Sequence, residues 1–183
     1  METKKPSSNQ AAFKWGIIYV ITAIVITYAF QFLNVDQTSS AKYLGYIPFI
    51  AFLLLAQKEY KDQLGGYLTF GEGFMTGFKY SVISGFLLAI FIYLYFSYLS
   101  PQVYEQVLTS TQAQLEAKGQ SSDQVEVAMN FMKSYGIITT TIGMLIGTTI
   151  VGSVIALIGA AIFKRERPPF DMDIENSYTD PTV

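Results

Sequence analysis

The sequence predicts an all-α integral membrane protein. It has four transmembrane helices, with an extracytoplasmic amphipathic helical hairpin between the third and the fourth. Three observations carry this. Apolar residues gather in four blocks, at about 13–33, 43–56, 80–99 and 136–163. Only 14% of the residues are charged, against about 25% in an ordinary soluble domain, and they collect between the blocks and at their edges. Lys and Arg are also distributed unequally between alternate connections.

A bilayer core of ~30 Å needs about 20 helical residues. The first, third and fourth blocks meet that length. The second is short and Pro48 interrupts it, so a re-entrant segment is the alternative to a short span with snorkelling ends. An even number of crossings fits the charge pattern, which favours a span. With their flanks, the spans are placed at about 13–33, 41–58, 76–100 and 136–163, and the hairpin at 101–135. Residues 1–12 and 164–183 are read as cytoplasmic tails, the second one disordered because of Pro168-Pro169, its acids and its few apolar residues.

Orientation follows from the basic residues. One set of connections holds Lys4, Lys5, Lys14, Lys58, Lys61, Lys79, Lys164, Arg165 and Arg167; the other holds Lys42, Lys118 and Lys133. Basic residues concentrate in cytoplasmic loops. Both termini and the connection from 58 to 79 are therefore expected inside, and the loops at 34–42 and 101–135 outside. Trp15 beside Lys14, and Tyr93, Tyr95 and Tyr98 at the far end of the third block, suit the two interfaces. The first block is too long for a signal h-region and no small-x-small cleavage site follows it, so it is expected to be retained as a helix.

Local signals refine the elements. Thr69 and Glu72 have capping-box spacing, which starts the third helix near Phe70 and carries it to about Leu99, with Lys79 snorkelling. In the outer loop, Val103, Val107, Leu108 and Leu115 form one apolar stripe, and Gly119 is a helix stop. Ser121-Ser-Asp-Gln124 then has cap chemistry for a second helix with Val125, Met129 and Met132 on one face. Those stripes are expected to pack on each other and on the membrane surface; the alternative makes Val125, Met129 and Met132 a partner-binding face.

Small residues recur every four positions in the third and fourth blocks. Gly73, Gly77, Ser81, Gly85 and Ala89 form one row, Thr139, Gly143 and Gly147 another, and Thr148, Gly152, Ala156 and Ala160 a third. Such rows let helix backbones approach closely in lipid. Gly77, Ser81, Gly85, Gly143, Gly147 and Gly152 are therefore the candidate helix-packing residues. Packing within the chain is the first reading of Gly143-Met-Leu-Ile-Gly147, and a homo-oligomer the second.

Chemistry is conspicuously thin. There is no cysteine and no histidine, which removes thiolate sites, His-ligated metals and Ser/Cys–His pairs. A net charge of −2 leaves no nucleic-acid footprint. No P-loop, GxSxG or HExxH is present. No Asp, Glu or Arg lies within a span, and proton relays and coupling-ion sites normally use such groups. No enzyme activity, metal or cofactor is expected. The fourth block does carry Thr139, Thr140, Thr141, Thr148, Thr149 and Ser153, which could line a polar path or bond back to their own helix.

Three stretches together resemble a known group: Leu68-Thr-Phe-Gly-Glu-Gly-Phe-Met-Thr-Gly-Phe78, the outer stretch 112–132 with Gly119-Gln-Ser-Ser-Asp-Gln-Val125, and the Gly/Thr-rich fourth block. The chain, from about 11 to 164, is similar to the bacterial four-span membrane family catalogued as domain of unknown function 4199. That resemblance implies the bacterial inner (cytoplasmic) membrane. It implies no activity, and it carries over no functional residue. The function expected is a non-catalytic scaffold or accessory subunit of a membrane complex. Its partners would be the bilayer and another membrane or periplasmic protein. The rival is a small-solute or lipid-handling permease using the hydroxyl-rich fourth span.

Overall fold

A computed structural model describes residues 6–33 and 40–166. The expectations for the distal tail, and for most of the loop at 34–42, lie outside the described residues. Within them the protein is helical and contains no strand. The helices are α1 (Ser8–Phe32), α2 (Tyr46–Gln63), α3 (Phe70–Leu94), α4 (Pro101–Ala117) and α5 (Ser122–Phe163). A 3₁₀ segment, Ser40–Gly45, leads into α2, and a π-turn, Tyr95–Leu99, extends α3.

Directions alternate along the chain. Lys14 and Trp15 of α1 meet Glu59 of α2, while Tyr19 meets Phe49, so these two helices run antiparallel. Ser8 meets Lys79, and Tyr28 meets Phe91 and Tyr95, so α1 and α3 run parallel. Gly73 faces Ala160 and Gly85 faces Thr148, which makes α5 antiparallel to α3. The described N- and C-terminal ends therefore share one end of the bundle, where Ala11, Tyr60 and Leu68 pack with Phe163. Leu68 and Arg165 exchange two backbone hydrogen bonds of 2.9 Å there. Residues 164–166 are thus ordered, which corrects a disordered tail beginning at 164.

The local signals explain most boundaries. Thr69 and Glu72 form the capping box, with the Glu72 N–H donating to Thr69 Oγ1 at 3.3 Å and the Thr69 N–H to Glu72 Oε2 at 3.0 Å. Pro101 opens α4, where its missing N–H costs nothing, and it forces Ser100 out of the helical region, to φ −146°. The Ser100 N–H reaches back to the Tyr95 carbonyl at 2.7 Å, closing the π-turn. Gly119 sits at φ +76°, a conformation that favours glycine, and lets the chain reverse.

Two boundaries differ from the sequence reading. α2 starts at Tyr46 rather than near 41, since Pro48 fits only the first turn of a helix. It then runs on through Lys58, Lys61 and Asp62, so its uncharged part is residues 46–57, about 18 Å long. Three helical segments are long and apolar enough to cross a membrane: Ser8–Phe32, Phe70–Leu99 and Ser122–Phe163. α2 is not one of them.

The hairpin also differs from the sequence reading. Its second arm and the fourth apolar block are one uninterrupted helix, the 42-residue α5, about 63 Å long. No proline or paired glycine interrupts 122–163. The apolar block 136–163 takes about 42 Å of that length. The remaining 14 residues, Ser122–Tyr135, carry Asp123, Glu126 and Lys133 and extend about 21 Å further. α4 lies along this extension, so α3, the π-turn and α4 together follow α5 almost end to end.

Candidate functional site

The described residues hold no cluster of acidic side chains fit to bind a metal. What the chain builds instead is a close-packed seam, a buried polar node, a projecting helix pair and a cleft.

The seam joins α3 to α5. Every four-residue step along α3 is matched by a four-residue step back along α5: Gly73 with Ala160, Gly77 with Ala156, Ser81 with Gly152, Gly85 with Thr148. A Cβ on Gly77 would stand 2.6 Å from the Ala156 Cβ, and one on Gly152 would overlap the Ser81 hydroxyl. Ser81 turns that hydroxyl onto its own Gly77 carbonyl at 2.8 Å, which leaves it compact. Contact packing of this kind is the main attraction between helices in lipid. Gly143 and Gly147 are not part of the seam. Nothing lies within 4 Å of a Cβ at either position, so their use in packing within the chain is corrected here.

The node is Gln57 of α2, fully buried. Its amide nitrogen donates to the Gly73 carbonyl at 3.0 Å and to the Ala156 carbonyl at 2.9 Å. One side chain thus ties α2 to both helices of the seam. Its Oε1 has no partner among the described residues and presses on the site of a missing Cβ at Gly159. The sequence reading passes over Gln57, which stands just past the second apolar block at 43–56. The signal was present: Gly73, Gly77 and Gly159 leave room for a long polar side chain.

A second polar contact fixes α1 to α2. Glu59 Oε2 accepts from Lys14 Nζ at 2.8 Å and from Trp15 Nε1 at 2.7 Å. The Trp15 ring also stacks on Phe52 with centroids 5.6 Å apart. The Lys14 hydrogen bond, against some opposing desolvation, holds the Glu59 carboxyl below its usual value.

The projecting pair is α4 with the first part of α5. Tyr104, Leu108, Val125 and Met129 are buried between them, and Met132 is half-buried against the same cluster. The Tyr104 hydroxyl donates to the Met132 carbonyl at 2.7 Å and occupies the place a Cβ would take on Gly136. Burial, and then the neighbouring Glu105 charge, push the Tyr104 hydroxyl pKa up. Val125 and Met129 are therefore spent on contacts within the chain. The outward face of α5 instead carries Val127, Phe131 and Tyr135, which are 71%, 53% and 58% exposed.

The cleft, about 550 Å³, opens where α2 begins. Tyr19, Phe49, Leu88, Met144, Thr148 and Val151 form most of its wall, and Gly147 leaves it open. Among the hydroxyls of the fourth block, Thr139, Thr141, Thr149 and Ser153 bond back to their own helix.

Described residues that form helices and no strand, with three of the helices apolar and of membrane length and packed through small residues, define a multi-pass membrane protein. The chain belongs to the family described as Protein of unknown function (DUF4199), which matches residues 14–165. No curated protein and no solved structure matches it.

Proposed function

We propose that this chain is a non-catalytic scaffold or accessory subunit of the bacterial inner membrane. It crosses four times, with both termini cytoplasmic, and it works by binding another membrane or periplasmic protein. The reading is supported chiefly by the projecting part of α5. There the stalk of paired α4 and α5 leaves Val127, Phe131 and Tyr135 exposed beyond the apolar block, on the side that the Lys/Arg bias assigns to the periplasm. Exposed aromatic residues on a preformed surface are a common basis of protein interfaces. α2 counts as the second crossing in this reading because its direction alternates with α1 and α3 and because the Lys/Arg bias needs an even number of crossings. The permease reading draws less support, since four of the six hydroxyls of the fourth block turn back on their own helix.

A photocross-linking residue placed singly at 127, 131 or 135 in native membranes tests this. Discrete protein adducts at these positions, and none at the buried 129, are expected. Silence at all three outward positions refutes the docking role of the stalk.

A further inference from the structure

We propose that the cleft beside the start of α2 is a lateral lipid site that takes one fatty acyl chain with its ester group. The wall draws Tyr19 from the first apolar block, Leu88 from the third and Met144, Gly147, Thr148 and Val151 from the fourth. The cleft therefore lies at the level of the hydrocarbon. It exists because α2 begins only at Tyr46: about 18 Å of uncharged helix leaves roughly 12 Å of a ~30 Å core without an α2 wall. A gap at that level, open to the side, is filled from the bilayer.

Its chemistry selects the occupant. At about 550 Å³ it has the size of a small-molecule site. None of its lining side chains is charged, so a phosphate, a carboxylate or a nucleotide finds no counter-ion inside. Phe49, Leu88, Met144 and Val151 offer an apolar surface, while Tyr19, Tyr43, Tyr46 and Thr148 add a few hydroxyls. Thr148 departs from the pattern of its neighbours. Thr149 and Ser153 donate to carbonyls one turn back, whereas Thr148 makes no hydrogen bond among the described residues. A hydroxyl left without an acceptor in hydrocarbon is costly, and a neutral ester carbonyl supplies one. An acyl ester joins a long apolar chain to neutral acceptors, and it matches a wall of this composition.

Gly147 provides the test, because nothing lies within 4 Å of its missing Cβ and a large side chain there enters the cleft rather than the seam. The full chain is reconstituted into vesicles of phosphatidylethanolamine and phosphatidylglycerol, extracted into a maltoside detergent and passed through gel filtration. Fatty acyl groups and phosphorus are then counted per chain. The wild type and a control on the lipid-facing side, Ile158→Phe, should retain one lipid per chain. Gly147→Phe should retain about tenfold less acyl chain, equivalent to ~1.4 kcal/mol of binding. Should Gly147→Phe fail to fold, as judged by its elution and helicity, Val151→Phe fills the cleft from one turn further along the same helix and should give the same loss. Acyl chain with phosphorus identifies a phospholipid, and ester-linked acyl chain without it a neutral acylglycerol; either supports the site, whereas free fatty acid alone overturns it. Equal retention by wild type and the filled variants overturns it, as does a wild type that retains none. A cysteine at 148 that cross-links to a second copy of the chain would overturn it as well, since the occupant would then be protein.

Discussion

The amide nitrogen of Gln57 lies 2.9 Å from the carbonyl oxygen of Ala156, and the same nitrogen bonds Gly73. That contact adds a polar tie to the apolar packing of Phe49, Leu53 and Ala56, which holds the short α2 in the bundle. The carbonyl end of Gln57 is in a different position, since Oε1 has no partner among the described residues and fills the space a Cβ would take at Gly159. The two ends of one side chain therefore pull the stability of the node in opposite directions.

Gly159→Ala should lower thermal stability in detergent by about 1–3 kcal/mol, the usual range for overpacking, because the new Cβ overlaps Gln57 Oε1. In a Gln57→Ala background the same change should cost clearly less. Gln57→Leu alone should stay within about 1 kcal/mol of wild type, since it gives up weak intramembrane hydrogen bonds and also removes an unsatisfied oxygen. Thermal melts of the double-mutant cycle measure the coupling. Strict additivity would show that the two residues do not meet.

The seam makes a separate prediction, and the chain has no cysteine to confuse it. A Cβ at Gly85 would lie 3.3 Å from the Thr148 Cβ, close to the separation found in disulfides, about 3.5–4.5 Å. Gly85→Cys with Thr148→Cys should therefore cross-link within one chain on mild oxidation. Gly152→Leu should destabilise strongly, because Ser81 already fills that space, whereas Gly143→Leu should leave the monomer unaffected. Equal damage from both leucines would mean that the GxxxG face is also in use.

These contrasts show which signals the sequence carried. Rows of small residues every fourth position point to close packing, but they do not say which row faces the neighbour. The rows of α5 lie side by side, and the choice between Gly152 and Gly143 depends on how α3 is rotated. Cap chemistry was legible at Thr69 and at Gly119 because it is local. The merging of the hairpin arm with the fourth block was not legible, because a change from polar to apolar composition at Gly136 looks like a boundary even where the helical backbone continues. The cleft was invisible for another reason: it is the space left by α2, and its wall comes from four segments distant in sequence.

Glu59 predicts a pH dependence. Its folded pKa is depressed by the Lys14 contact, so the carboxylate adds stability at pH values above its unfolded pKa, about 4.3. That contribution is lost as pH falls through the lower folded value. Melting temperature should therefore drop on acidification in the acid range. Glu59→Gln should flatten this part of the curve, and Lys14→Met should flatten it partly, since Trp15 still donates to the carboxylate. An unchanged acid limb in Glu59→Gln would assign the drop to other carboxyls.

Topology gives a sharper test, because the described ends Ala11 and Phe163 meet at one end of the bundle. Single cysteines at 3 and 180 should react with a membrane-impermeant reagent from the same side, and 110 from the opposite side. With the proposed orientation, only 110 reacts from the periplasm. Labelling of 180 from that side defeats the orientation.

The last prediction separates the inside of the stalk from its outside. Val125 is buried against α4, whereas Val127, two residues on, is exposed. Val125→Asp places a charge between Tyr104, Leu108 and Met129 and should cost on the order of 3 kcal/mol. The cost should appear as faster amide exchange over 101–135 and as proteolysis at the turn around Gly119. Val127→Asp should stay within about 0.5 kcal/mol and leave exchange unchanged. Its effect should fall on the partner instead: adducts from a cross-linker at 131 should diminish while the stalk remains folded. If Val127→Asp loosens the stalk and Val125→Asp does not, then α5 is rotated from the position described. The docking face would then have to be sought on the opposite side of the helix.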